Sequence, residues 1–120
     1  MPHARLMTAD GREVARVELA VTARQRARGL LGKAGLAPGC AMWLAPCRSI
    51  HTIGMRFAID VVFLDRGLRV VAIRESVVPF RLAWGGWRAR GVLEFAAGEV
   101  ARLKLEHGQQ FFWQVDGASS

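Results

Sequence analysis

Two apolar runs set around Asp65-Arg66-Gly67 constrain this chain more than any other feature. Ile59 to Leu64 is apolar except for Asp60, and Leu68-Arg69-Val70-Val71-Ala72-Ile73-Arg74 follows directly after the aspartate-glycine turn. Aspartate and glycine at such a junction supply the backbone conformations that reverse a strand, so the pattern predicts an antiparallel hairpin. Its apolar residues are not restricted to alternate positions. A strand of that kind needs cover on both faces, which calls for a covered or curled sheet.

Other segments extend the β reading. In positions 12–21, Val17, Leu19 and Val21 recur at every second residue, with charges between several of the apolar residues, the mark of a half-buried strand. Cys40 to Ala45 is a short apolar run stopped by Pro46, Val92-Leu93-Glu94-Phe95 is closed by Gly98, and Gln110 to Val115 reads as the last strand. The segment from Pro79 to Arg90 has no clear period and is expected to be a loop. A helix is expected over 22–33. Thr22 and Gln25 have capping-box spacing, and Ala23, Ala27, Leu30 and Leu31 form an apolar stripe opposite arginines. Residues 99–105 fit either a short second helix or an extended run. The class expected is therefore α+β, with a mainly antiparallel, barrel-like sheet.

At 120 residues and 52% hydrophobic content the chain suits one domain, with a core over about 12–115 and flexible short termini. No apolar run approaches the ~20 residues of a membrane span. The N-terminus lacks the apolar stretch of a secretory signal, and the expectation is a soluble cytoplasmic protein without membrane contact. Cys40 and Cys47 are too few for a disulfide framework and are expected to stay thiols. The net charge is +7, from 17 basic and 10 acidic residues, and every basic residue but Lys33 and Lys104 is arginine. Because these are scattered along the chain, a solvated surface explains them better than a polyanion partner.

Three stretches together resemble the uncharacterised bacterial and archaeal family known as domain of unknown function 192. They are Arg28-Gly29-Leu30-Leu31-Gly32, the run Ile50-His51-Thr52-Ile53-Gly54-Met55-Arg56-Phe57-Ala58-Ile59-Asp60-Val61-Val62-Phe63-Leu64-Asp65, and Val92-Leu93-Glu94-Phe95-Ala96-Ala97-Gly98. The resemblance covers roughly residues 14 to 113. It implies a compact, strand-rich fold and brings no accepted activity. The chain carries Ile-His-Thr where many members have Trp-Met-x-Asn-Thr, Ala58 where proline is usual, and Gly108-Gln109 where Gly-Asp is common.

The polar residues offer several chemistries. Cys47, His51 and Met55 stand four residues apart and form a soft ligand set, but a copper site needs a further histidine, and only His3 and His107 remain. No metal or cofactor is expected. Cys47 and His51 also have the residue types of a thiol nucleophile and its base, with Asp60 or Glu94 to orient the imidazole. Asp60 and Glu94, set among apolar neighbours, must find cations or N–H donors if they point inward, and Arg56 is the partner expected for Asp60. The leading expectation is a polar cleft of His51, Arg56, Asp60 and Glu94 that binds a small ligand or a protein partner. An enzyme using His51 with a carboxylate or Cys47 is the second. Binding of nucleic acid through Trp84, Trp87 and the neighbouring arginines is the third, and it is not favoured because no module signature accompanies them.

Overall fold

The computed structural model of the protein describes residues 2–20 and 36–115. The helix expected over 22–33 and the tail from Asp116 lie outside the described residues. Among the described residues, nine strands and one short helix follow in order: β1 (His3–Thr8), β2 (Glu13–Ala20), β3 (Cys40–Leu44), β4 (Ser49–His51), β5 (Ile59–Leu64), β6 (Val70–Val77), β7 (Leu82–Trp84), β8 (Gly91–Ala96), α1 (Glu99–Leu103) and β9 (Phe111–Val115).

Seven strands form one sheet in the order β6-β5-β8-β3-β2-β1-β9, and β4 and β7 form a separate pair. The large sheet is antiparallel at every junction except β2 with β3. It curls without closing. Its outermost strands meet only where β6 begins, through the Arg69–Gln110 bridge and hydrogen bonds that join Leu68 and Val70 to residues 108–111. The barrel expected from the sequence is thus an open one.

The β5–β6 hairpin forms as its sequence predicts. Asp65 Oδ1 accepts the N–H groups of Gly67 and Arg69, both at 2.9 Å, and Leu68 takes a positive φ of 62° to complete the turn. Every residue of β5 is buried, because each face of the large sheet has its own cover. On one face Leu6, Val17, Val62, Leu93, Phe95 and Phe111 pack with Val100 of α1. On the other, Met42, Val61, Phe63 and Val92 pack with Met55 from the loop after β4, Ala83 of β7 and Ala89 from the loop after β7. The small sheet is therefore the lid over the second core.

Two elements differ from expectation, and a third settles a choice the sequence left open. His3 opens a strand that lies between β2 and β9, pairs there with Glu18, and does not lie on a loose terminus. β7 emerges from the segment expected to be a loop, since three residues carry too little pattern to register as a period. Residues 99–105 resolve as the helix α1, which ends at Lys104 in a left-handed conformation with φ 55°.

Candidate functional site

The stretch with the strongest polar chemistry in the sequence, Cys47 to Arg56, builds half of the small sheet. β4 pairs antiparallel with β7, placing Ser49 opposite Trp84, Ile50 opposite Ala83 and His51 opposite Leu82. Strand alternation sends Ala83 inward and leaves Leu82 and Trp84 facing out. Thr52, wholly buried, ties the two halves together. Its hydroxyl donates to Val78 O at 2.7 Å and accepts the Arg81 N–H at 2.8 Å, while its own N–H donates to Arg81 O at 2.9 Å. The Thr of the Ile-His-Thr segment is accordingly a structural knot.

The loop after β7 is fastened to the large sheet. A Cβ on Gly85 would lie 2.3 Å from the Phe63 ring, so only glycine allows this backbone to rest directly on β5. Arg48 Nε donates to Trp87 O at 3.2 Å, and Arg74 Nη2 donates to Trp84 O at 3.3 Å. Held this way, Trp84 and Trp87 meet edge to face with ring centroids 5.1 Å apart.

The outward face of this lid is unusually apolar. Leu82 is 82% exposed, Trp87 81% and Phe80 72%, with Ile53, Trp84 and Val78 about half exposed. The only other large hydrophobic side chains exposed among the described residues are Phe112 and Val115 on β9. The charge around the lid is one-sided. Segments 46–59 and 77–93 contain Arg48, Arg56, Arg81, Arg88 and Arg90 and no acidic residue. Brought together by the β4–β7 pairing, the two segments thus carry five positive charges and no negative one. The missing acids were the signal that could have revealed this.

The expected cleft divides among three places. His51 and Arg56 are exposed on the lid and its loop. Asp60 and Glu94 lie in the large sheet on opposite faces, since Asp60 pairs with Phe95 and Glu94 pairs with Val61. Asp60 is completely buried and accepts three backbone N–H groups, from Ser76 at 2.8 Å, Gly98 at 3.0 Å and Val100 at 2.9 Å. Those amides take the place of the Arg56 guanidinium expected from the sequence. Asp60 caps α1 from outside the helix, where Gly98 has no side chain to do so, and pins the left-handed Ser76 that kinks the end of β6.

Glu94 is 4% exposed, beside Met42 and Val61, and among the described residues no group donates a hydrogen bond to it. Loss of hydration raises its pKa from 4.5 to about 7. Glu99, also buried, has its pKa lowered, chiefly by the hydrogen bond from Arg102, and accepts the Gly39 N–H as well.

Cys47, His51 and Met55 do not converge. Cys47 Sγ donates to Ser49 O at 3.0 Å, His51 faces out, and Met55 is packed in the core beneath the lid. No cluster of three His, Cys, Asp or Glu side chains suited to a metal occurs among the described residues. Neither Cys40 nor Cys47 is joined in a disulfide.

A family model described as Uncharacterized ACR, DUF192, matches residues 5–113. A UPF0127 protein of Thermococcus sibiricus is 30% identical over 109 residues, a match that covers 84% of this chain and 68% of that protein. A UPF0127 protein of Pyrococcus horikoshii is 37% identical over 65 residues, covering 54% of this chain and 56% of its own length, so the match spans little more than half of that relative. The crystal structure of a candidate transcription regulator from Sinorhizobium meliloti has a TM-score of 0.81 at 28% identity, covering 93% of this chain and 92% of that one. A protein of unknown function from Novosphingobium aromaticivorans has a TM-score of 0.80 at 26% identity, covering 92% and 84%.

Proposed function

The chain belongs to the DUF192 family, which has no assigned activity, and we propose that it is a binding module that receives an acidic protein partner on the outward face of the β4–β7 lid. One observation carries this reading: Ile53, Val78, Phe80, Leu82, Trp84 and Trp87 are all exposed within two paired segments that hold five arginines and no acidic residue. Exposed apolar patches rimmed by polar groups mark interaction surfaces. Tryptophan and arginine are the side chains that dominate binding energy at protein interfaces. A face charged with one sign speeds encounter with the opposite sign and rejects its own. Ile53, Val78 and Leu82 favour a protein over a nucleic acid, because aliphatic side chains offer no ring on which a base can stack.

Nucleic acid is the second reading, favoured by the exposed Trp84–Trp87 pair and by the regulator described for the Sinorhizobium relative. Selection from a displayed peptide library, run on the wild type and on a Phe80→Arg, Trp87→Ala variant, separates the two. Enrichment of acidic and apolar peptides by the wild type alone is expected. Peptides without acidic character, or equal enrichment by the variant, would overturn the proposal. A labelled single-stranded oligonucleotide that binds at about 50 mM salt, weakens steeply as salt rises and requires Trp87 would reassign the face to nucleic acid.

A further inference from the structure

We propose that the gap between β6 and β7 is a strand-addition slot, in which an extended segment of the partner hydrogen-bonds through its backbone to both strands. The inference rests on the acidic-partner reading above and specifies how that partner is held.

The backbone directions carry the argument. Arg81 O accepts from Thr52 N–H and Gly85 N–H donates to Arg48 O, so residues 81 and 85 turn their backbone groups toward β4. Leu82 and Trp84 then turn theirs away from β4, as alternation in an antiparallel pair requires. That free edge looks at β6, because Trp84 O is the group that Arg74 Nη2 reaches from β6 at 3.3 Å. β6 is itself an outermost strand of the large sheet. Its Ile73 carbonyl accepts Arg74 Nη1 at 2.9 Å.

Among the described residues, two unpaired edges therefore face each other, and no backbone hydrogen bond joins β6 to β7. The Arg74 guanidinium bridges one carbonyl from each edge. It supplies donors where the N–H groups of an inserted strand would lie.

Beyond Arg74 the gap opens into a cavity of about 380 Å³ between Ile73–Val78 and Arg81–Ala83. Its apolar walls come from Ile73, Val77, Val78, Leu82 and Ala83, and its cations are Arg74 and Arg81, against the single acid Glu75. A strand presents side chains to alternate sides, so a segment that alternates apolar and acidic residues matches these walls. The slot has a closed end. Ser76 gives its N–H to Asp60 and kinks β6, which limits the pairing to a short segment and guards the edge against indiscriminate strand pairing.

The probe is a synthetic peptide that alternates glutamate and valine, compared with the same peptide N-methylated at every second amide. Calorimetry is expected to show binding of the first and a loss of at least about tenfold for the second, since methylation removes N–H donors and leaves the side chains. Hydrogen exchange should show the Leu82 amide becoming protected on binding. Leu82→Pro removes that donor and leaves the pairing with β4 intact, so it should keep its melting temperature and lose the probe. Equal binding of both peptides, or binding without protection at Leu82, would overturn strand addition and leave the partner reading standing. The same holds if neither probe binds while library peptides do. If the library also yields nothing, both proposals fall. Should Leu82→Pro unfold, protection at Leu82 in the wild type decides.

Discussion

Ile59 to Leu64 on β5 and Leu82 to Trp84 on β7 are both short apolar strands, yet every side chain of the first is buried and only Ala83 of the second is. The difference lies in the layers around them. β5 is an interior strand of the large sheet, with α1 and its companions over one face and the small sheet over the other. β7 belongs to that outer cover, and nothing among the described residues covers it in turn. A lid one strand thick needs its inner residues for the core and leaves its outer residues to be chosen for something else. Apolar residues in β5 are accounted for by folding, whereas those on the outer face of β7 are not.

The comparison can be broken by mutation, most severely at Asp60. Asp60→Ala strands three buried N–H groups, and we expect a loss of about 3–5 kcal/mol in a denaturant titration. A loss as small as that of a lid variant would show that β6 and α1 are held by other means.

Next comes Glu94, whose folded pKa is raised from 4.5 to about 7. The folded state thus binds this proton more tightly than the unfolded state. The associated stability is fully present below the unfolded value and is lost as pH rises through about 7. Glu94→Gln should therefore stabilise the protein by about 3 kcal/mol near pH 8 and change little near pH 4. Parallel curves for the two proteins across that range would refute the shift.

Gly85→Ala is expected to cost about 1–3 kcal/mol, because its Cβ collides with the buried Phe63 ring and lifts the lid from its seat. Smallest of all, Leu82→Ser and Trp87→Ala should alter stability by no more than about 0.5 kcal/mol while weakening peptide capture. A large stability loss at either position would make the outer face part of the fold after all.

Much of the large sheet was legible because its cues are local. Asp65-Arg66-Gly67 writes its own turn, and β2 and β5 announce themselves by alternation or by a continuous apolar run. The lid was harder to read. β4 and β7 have three residues each, and their shape comes from Thr52 bonding to residues 78 and 81, a distant contact that leaves no periodic trace. The candidate site suffered from the same distance. Asp60 and Glu94 both stand in apolar strands, but only the pairing register reveals that they face opposite sides and that amides satisfy one while nothing described satisfies the other. Likewise, Arg48 to Arg90 read as scattered until the β4–β7 pairing joins the two segments that hold them.

The tryptophans supply a last consequence, an optical one. The chain has no tyrosine, so its emission is that of four indoles arranged as two edge-to-face pairs. Trp43 and Trp113 sit partly buried with centroids 5.7 Å apart, while Trp84 and Trp87 stand at the water boundary of the lid. The first pair emits toward the blue and reports whether the sheet is intact. The second emits toward the red and is the one a quencher reaches. A single spectrum of the unlabelled protein therefore carries two separate channels, one for the state of the sheet and one for the occupancy of the lid.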